Sequence, residues 1–336
     1  MHMADALISP AVGSVMLAVS AGTIGYSVKK VKEDLDEKKV PLMGVMGAFV
    51  FAGQMINFTI PATGSSGHIG GGILLAALLG PYAAFLVLSA VLLIQALFFA
   101  DGGLLALGCN MFNMGFFACF IAYPFIYKPI VKQAFTTKKI TIATILAVVI
   151  GLQLGAFSVV METFVSGVTE LPFYSFLLLM QPIHLAIGLV EGIATAAVLC
   201  FIYKSNPVLL DGGEAVEKDN TFSRKKVLVI LIVLTIFIGG IFSLFASGYP
   251  DGLEWSMEGA FGTAELETEG SAYRAAEGIQ ESTAFLPDYG FKNGEKASEM
   301  VGTATSGIIG GGITLGLAGF IGYIITRSKK KVKCLS

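Results

Sequence analysis

Three histidines are the residues of this chain whose type and position point most directly to metal chemistry: His2, His68 and His184. We expect Met1 to remain ahead of His2, because a bulky second residue normally blocks removal of the initiator methionine. The α-amine of Met1 and the amide and imidazole nitrogens of His2 can then wrap one metal ion as successive chelate rings. This nearly planar, strong-field donor set suits Ni(II), Cu(II) or low-spin Co(II) and not tetrahedral Zn(II). An untethered terminal residue is the alternative interpretation of His2.

The fourth corner of such a planar site needs one more neutral imidazole. His68 is the candidate, because it ends a loop, Pro61–His68, that is rich in glycine and serine and could lean over a tucked-in amino terminus. The sequence equally allows His68 to be a histidine that only caps its own loop. The metal site is therefore a prediction that competes with an arrangement without metal.

His184 and Glu191 are seven residues apart and so share one face of the helix expected after Pro182. Ionisable groups within a membrane are costly and usually face the protein interior. The pair could support the metal site from behind its ligands, or its members could simply satisfy each other. Five more polar residues interrupt apolar stretches and are candidates for the same supporting role, although buried amides most often serve helix packing. They are Asn57, Gln95, Asp101, Asn110 and Asn113.

A second kind of chemistry has a weaker signal. Residues 64–67 read Gly-Ser-Ser-Gly, which matches the GxSG nucleophile motif of rhomboid-type intramembrane serine proteases, with His184 available as general base. In that fold the serine begins a buried helix, whereas here it follows Pro61 in a loop, so we expect a protein that is not an enzyme. No phosphate-binding loop of the form GxxxxGKS/T occurs in the sequence, so any ATP-driven role requires partner subunits.

Composition places these residues in a membrane protein. Of 336 residues, 54% are hydrophobic and only 14% are charged, where an ordinary soluble domain carries about 25% charge. The mean hydropathy is +0.76, and the formal net charge of -2 offers no footprint for nucleic acid. The four cysteines form no CxxC pair, so they predict neither a disulfide framework nor a zinc site.

Nine lightly charged stretches are candidates for transmembrane helices, each of which needs about 20 apolar residues. Residues 69–80 are short for a full span, so this segment is expected to be tilted, partly re-entrant or continuous with its neighbour across Gly80–Pro81. The nine stretches are approximately 6–28, 41–60, 69–80, 82–100, 104–127, 140–162, 176–203, 227–247 and 302–326.

Lysine and arginine decide the expected orientation, because short loops rich in them stay cytoplasmic. Of the 22 basic residues, 19 fall in four clusters, around 29–39, 128–139, 204–226 and 327–333, while the acidic segment 248–300 holds the other three. One assignment satisfies every loop: the N-terminus and 248–300 lie outside, and the C-terminus lies in the cytoplasm. All three histidines then lie at or near the outer side of a multi-pass plasma-membrane protein.

Longer motifs carry a family resemblance. Met1–Met3, the Pro61–Gly72 loop, Leu92–Met114, His184 and Glu191–Gly192 are similar to the corresponding parts of CbiM/NikM, the substrate-capture M subunit of nickel and cobalt energy-coupling-factor (ECF) transporters. Pro250–Glu254, which reads Pro-Asp-Gly-Leu-Glu, resembles the PDGLE-type N subunit that is fused to M in some of these systems.

The resemblance implies an all-α polytopic membrane protein: a seven-helix bundle like an ECF S-component over 1–204, a cytoplasmic linker over 205–226, and a two-helix transmembrane hairpin over 227–336 with its outside loop at 248–300. It implies metal ligands at Met1, His2 and His68. It also implies partner ATPase subunits, a coupling transmembrane T subunit and no cofactor, with Ni(II) or Co(II) as the transported ion. The C-terminal module would assist metal loading or assembly, and a solvated acidic loop is its alternative. A metal-independent S-component-like transporter or a channel is the runner-up function.

Overall fold

The computed structural model describes residues 2–34, 39–213, 221–264, 266, 268–292 and 296–333. It is built almost entirely of helices, with one small antiparallel hairpin, β1 (Phe58–Ile60) and β2 (Ser65–Gly67), in which Ile60 pairs with Ser65. The helices are α1 Pro10–Asp34, α2 Val40–Gln54, α3 Gly72–Leu79, α4 Pro81–Phe99, α5 Leu107–Lys132, α6 Thr137–Ser166, α7 Phe173–Ser205, α8 Arg224–Gly240, α9 Gly252–Phe261, α10 Ser271–Thr283 and α11 Lys296–Lys333.

Within the described ranges, six helices are long and apolar enough to cross a membrane: α1, α4, α5, α6, α7 and α11. Two further predicted spans form shorter apolar helices, α2 with 15 residues and α8 with 17. The middle of α5, Phe112–Tyr127, has the wider turns of a π-helix and contains Pro124. The prediction of an all-α polytopic membrane protein is thus confirmed.

The predicted span 69–80 is only partly helical. α3 has eight residues, about 12 Å of helix, and residues 68–71 before it have no regular secondary structure. Gly71 has a φ of +77°, a left-handed conformation that the helix could not continue through. α3 is apolar on every side and buried throughout, as expected for a helix enclosed by others. The short length suspected from sequence is therefore correct, and a full helical span is not.

The turn between α3 and α4 carries no lysine of its own, yet it lies at the lysine-rich end of the bundle. The backbone N–H of Asp211, in the linker after α7, donates to the carbonyl of Ala77 at 2.8 Å. The Asp211 carboxylate forms ion pairs with Lys39 at 3.4 Å and with Lys128 at 3.3 Å. Three predicted inner loops therefore meet at one end.

The C-terminal part folds onto the first bundle. α11 packs mainly along α2 and also contacts α8 and α4. α9 packs against α7, and residues 247–255 lie over the β-hairpin. This arrangement places the Pro250–Glu254 segment directly above the loop that carries His68.

Candidate metal centre

The amino-terminal segment is fastened to the bundle by its backbone. The N–H of Met3 donates to Asn110 Oδ1 at 2.7 Å, and Asn110 Nδ2 donates back to the Met3 carbonyl at 3.1 Å. The N–H of Gly103 donates to the same carbonyl at 2.9 Å, and Asp5 Oδ1 accepts the N–H of Ala106 at 3.0 Å. Met3 is fully buried. The segment therefore docks between α5 and the turn before it, with Asn110 as a clasp.

The structure brings His2 and His68 together. Their rings stack with centroids 5.1 Å apart and planes 14° from parallel. The side chain of His2 is 8% exposed, and His68 is 9% exposed. Burial lowers the pKa of each imidazole from 6.5 to about 3, so both rings are neutral at physiological pH and have a nitrogen lone pair for a metal. Met1, the third predicted ligand residue, lies outside the described residues.

Asp101 is the polar group against His2. Its Oδ1 lies 3.2 Å from His2 Nδ1, and its Oδ2 accepts a 2.5 Å hydrogen bond from the Tyr289 hydroxyl. Burial raises the pKa of the Asp101 carboxyl. Gln95 lies beneath the same turn, because its carbonyl accepts the Asp101 N–H at 3.1 Å. The Gln95 side chain is fully buried and interacts with the His2 imidazole and the Tyr289 hydroxyl.

Two side chains hold the loop that follows His68. Glu191 Oε1 accepts the N–H of Gly71 at 2.9 Å, and Gln54 Nε2 donates to the carbonyl of Gly70 at 2.9 Å. Glu191 was predicted as a supporting residue, and it contacts the loop backbone. Gln54 was missed, although a polar residue at the end of the otherwise apolar α2 was a usable signal.

A cavity of about 40 Å³ lies beside His68. Among its lining residues are Asn113, His184, Glu191 and Asp251. Asn113 Nδ2 donates to Glu162 Oε2 at 2.7 Å and lies 3.5 Å from the Met3 sulfur. His184 Nδ1 lies 2.8 Å from the carbonyl of Met180. Three of the predicted supporting residues, Asn113, His184 and Glu191, therefore line one cavity with His68.

Asn57 lies elsewhere. It precedes β1, is partly exposed, and its carbonyl accepts the N–H of Ser247 at 2.7 Å. It is not among the residues that line the cavity beside His68.

The Pro250–Glu254 segment closes over the His68 loop. The Ser66 N–H donates to the Pro250 carbonyl at 2.8 Å, and the Ser66 hydroxyl donates to the Tyr249 carbonyl at 2.8 Å. Trp255 Nε1 donates to the carbonyl of Thr63 at 2.9 Å. Asp251 begins α9 in a capping box, with Oδ1 accepting the N–H groups at positions 253 and 254.

These contacts also bear on the protease alternative. The Ser66 hydroxyl is buried against backbone carbonyls, and in the described part of the chain no hydrogen bond joins it to His184. A serine nucleophile must be hydrogen-bonded to its base. The Ser66–His184 pair therefore lacks the geometry that this alternative requires.

Within the segment 248–300, α10 contacts the turn that receives the amino terminus. Gln280 Nε2 donates to the carbonyls of Ala96 and Gly102, each at 2.9 Å. The Tyr273 hydroxyl donates to the Ile8 carbonyl at 2.8 Å. Residues separated by more than 170 positions thus stabilise one corner, and the segment is not simply a solvated acidic loop.

No three His, Cys, Asp or Glu side chains converge as a metal site within the described ranges. That result is compatible with the predicted donor set, in which two backbone nitrogens accompany two imidazoles. Buried Cys109 and Cys119 are free thiols.

Known proteins share both parts of the chain. A family model for CbiM, the cobalt uptake substrate-specific transmembrane region, matches residues 2–209, and a PDGLE domain matches residues 225–327. A NikMN-type fused nickel transport protein of Archaeoglobus fulgidus is 32% identical over 97% of this chain and 98% of its own length. The fused nickel transport protein NikMN of Rhodobacter capsulatus is 33% identical over 62% of this chain and 64% of its own length.

A solved structure gives the same result for the first module. A crystal structure of a truncated transition metal transporter is 33% identical, covers 60% of this chain and 98% of its own, and superposes with a TM-score of 0.53. The family resemblance seen in the sequence is confirmed. This chain belongs to the CbiM family and carries a PDGLE domain behind its CbiM region.

Proposed function

We propose that the chain is the substrate-specific membrane component of an ATP-driven, ECF-type uptake transporter for Ni(II) or Co(II). The ion is held in a square-planar nitrogen site made by the Met1 α-amine, the amide and imidazole nitrogens of His2, and the imidazole of His68. The observation that carries the proposal is the stacking of two buried, neutral imidazoles, His2 and His68, 5.1 Å apart beside a clasped amino terminus. Relatives named as nickel or cobalt transport proteins support it.

Chelation uses Nδ1 of His2, because only that ring nitrogen closes a six-membered ring with the residue's own amide nitrogen. Nδ1 faces Asp101 at 3.2 Å, so binding exchanges this contact for the metal, and the ring proton moves from Nδ1 to Nε2. A divalent ion with one deprotonated amide leaves a net charge of about +1 at the site. Asp101, which contacts His2, and Asp251, which lines the cavity with His68, supply the counter-charge.

Planarity supplies the selectivity. Four nitrogens in one plane favour Ni(II) and low-spin Co(II) and disfavour Zn(II), which prefers a tetrahedron. Release requires that the plane be broken. His68 is the corner that can withdraw, because it is carried on a loop between β2 and α3, whereas three donors come from the first two residues.

The remaining parts of the proposal concern topology and partners. The N-terminus and residues 248–300 lie outside the plasma membrane and the C-terminus lies in the cytoplasm, as the lysine distribution indicates. Residues 1–204 capture the metal, 205–226 form a cytoplasmic linker, and the PDGLE module of 227–336 holds the two segments that bring His2 and His68 together. ATPase subunits and a coupling T subunit supply the energy. Neither nucleic acid nor a cofactor takes part.

The test is a Ni(II) and Co(II) titration of the purified full chain and of His68→Ala. We expect the substitution to weaken binding more than about 100-fold, because it removes one of four ligands, a larger loss than that of a residue behind the ligands. Thr59→Ala, on the exposed face of the same hairpin, is the matched control and should bind as the wild type does. Equal affinity of His68→Ala and wild type would remove the fourth-ligand role, and a metal-independent transporter or channel predicts no tight binding by either chain.

A further inference from the structure

A buried imidazole nitrogen that has no hydrogen-bond partner in the described part of the chain lies next to the proposed metal centre. His184 is 1% exposed, and its Nδ1 is engaged by the Met180 carbonyl at 2.8 Å. Because a carbonyl only accepts, Nδ1 carries the proton and Nε2 carries the lone pair. Nε2 is buried and has no hydrogen-bond partner among the described residues. Such an unsatisfied group in a native site calls for a functional explanation.

No donor among the residues that the structure describes reaches this lone pair. The start of α9 covers it with a glycine: a Cβ on Gly252 would lie 3.3 Å from His184 Nε2 and 2.8 Å from Ile187 Cδ1. Only a residue without a side chain approaches this closely without displacing the imidazole. The backbone thus closes over the nitrogen and keeps it within the cavity that also borders His68.

Several possible metal donors border this cavity. α7 runs from the side of the proposed outer loops to the lysine-rich end. His184 lies eleven residues into this helix, about 16 Å from its start, and Glu191 lies about 10 Å further along the same face. Small residues on the facing elements, Gly72, Ala118 and Gly151, also line the cavity. His184 packs near Gly252, and Glu191 contacts the loop at Gly70 and Gly71. His68, His184 and Glu191 therefore offer three donor groups around one cavity.

We propose that His184 Nε2 is a relay ligand, a second metal position that receives Ni(II) or Co(II) when the His68 corner withdraws. This inference rests on the proposed function. The step is a ligand exchange in which the Nε2 lone pair of His184 replaces that of His68 on the metal. No electron is transferred and no proton must leave His184, since its proton is on Nδ1. Glu191, released from the Gly71 N–H as the loop moves, then offers a carboxylate in the same cavity.

The test counts nitrogen ligands by electron paramagnetic resonance of Cu(II), a probe that accepts the same planar donor set, bound to the purified full chain. In wild type four nitrogens are expected. In His68→Ala, at Cu(II) concentrations high enough to fill its weakened site, His184 takes the fourth corner, so four nitrogens are expected again. In the double variant His68→Ala/His184→Asn the count falls to three, because asparagine keeps an amide donor for the Met180 carbonyl but lacks the Nε2 lone pair.

The matched control is His68→Ala/Thr195→Ala, which removes another buried side chain of α7 away from the cavity and should retain four nitrogens. Identical spectra of His68→Ala and the His68→Ala/His184→Asn variant would overturn the relay position while leaving the proposed function intact. A wild-type chain without a four-nitrogen site would overturn both. Should the asparagine variant fail to fold, His184→Gln in the same background gives the same comparison.

The rate of Ni(II) uptake tests whether His184 takes part in transport. In membrane vesicles that contain the chain with its partner subunits, His184→Asn should lower Ni(II) uptake at saturating metal at least tenfold, whereas Thr195→Ala should stay within twofold of wild type. Equal uptake by His184→Asn and wild type would contradict a relay.

Discussion

Replacing Asn110 with alanine should loosen the amino terminus, and the size of the effect follows from the clasp. The change removes the acceptor of the Met3 N–H and a donor to the Met3 carbonyl. The carbonyl keeps the N–H of Gly103, but the buried Met3 N–H loses its only recorded acceptor in the described structure. A buried donor without a partner costs about 1–3 kcal/mol, and a hydrogen bond contributes about 1 kcal/mol net.

We therefore expect the free energy of opening this segment to fall by about 2–3 kcal/mol, which is about 30- to 150-fold in its opening equilibrium. Hydrogen–deuterium exchange of the peptide that contains residues 2–10, measured on the detergent-solubilised full chain, should show faster exchange by up to that factor. Ni(II) affinity should fall in the same direction, with the same factor as its upper limit, because only the docked segment forms the site.

Two variants sharpen the measurement. Asn110→Asp keeps an acceptor for the Met3 N–H but turns an oxygen towards the Met3 carbonyl, so it should also loosen the segment. Asn206→Ala removes an equally buried amide that donates to the Phe222 carbonyl at 3.1 Å at the opposite end of the bundle. It should leave exchange at the amino terminus unchanged. Wild-type protection in Asn110→Ala would refute the clasp.

Three further predictions concern stability. Because burial lowers the pKa of His2 and His68 to about 3, the unfolded chain binds more protons below pH 6.5 than the folded chain does. The thermal unfolding midpoint should therefore fall steadily as the pH is lowered from 6.5 towards 4, and in His68→Gln it should fall less. The same pH dependence in the variant and the wild type would contradict this prediction. Tyr289→Phe should lower the free energy of unfolding by about 1.5–3 kcal/mol, since it removes a hydrogen bond to the Asp101 carboxylate, and an unchanged chemical-denaturation midpoint would count against that bond. Gly252→Ala should cost about 1–3 kcal/mol by overpacking against Ile187 and His184, with thermal unfolding as the measurement and an undiminished melting temperature as the contrary result.

Much of this fold can be predicted from the types of residue in the sequence and from the distribution of their charges. His2 and His68 stood out because their types and surroundings suit chelation, and the structure places their rings side by side. The lysine clusters predicted which loops gather at one end, and Lys39 and Lys128 meet at Asp211. Both kinds of inference use local residue properties, which survive in a linear sequence.

Other features depend on distant parts of the chain. Tyr289 reaches Asp101 across 188 positions, and Ser66 reaches Tyr249 across 183. Neither contact produces a periodic pattern or a charge bias, so the sequence alone does not decide whether the acidic segment 248–300 is a functional module or a solvated loop. Hydropathy indicates that α3 is short, but the point where the helix begins depends on a left-handed backbone at Gly71, which hydropathy does not register.

The central claim is that the α-amine of Met1 is a metal ligand, and one added residue tests it most directly. An extra residue before Met1 converts that amine into an amide and leaves every side chain in place. Ni(II) and Co(II) titrations of the purified chain, with a C-terminal tag and with or without the extension, should show tight binding only without it. Equally tight binding by both forms, or none by either, would contradict the nitrogen site and the metal-capture function that rests on it.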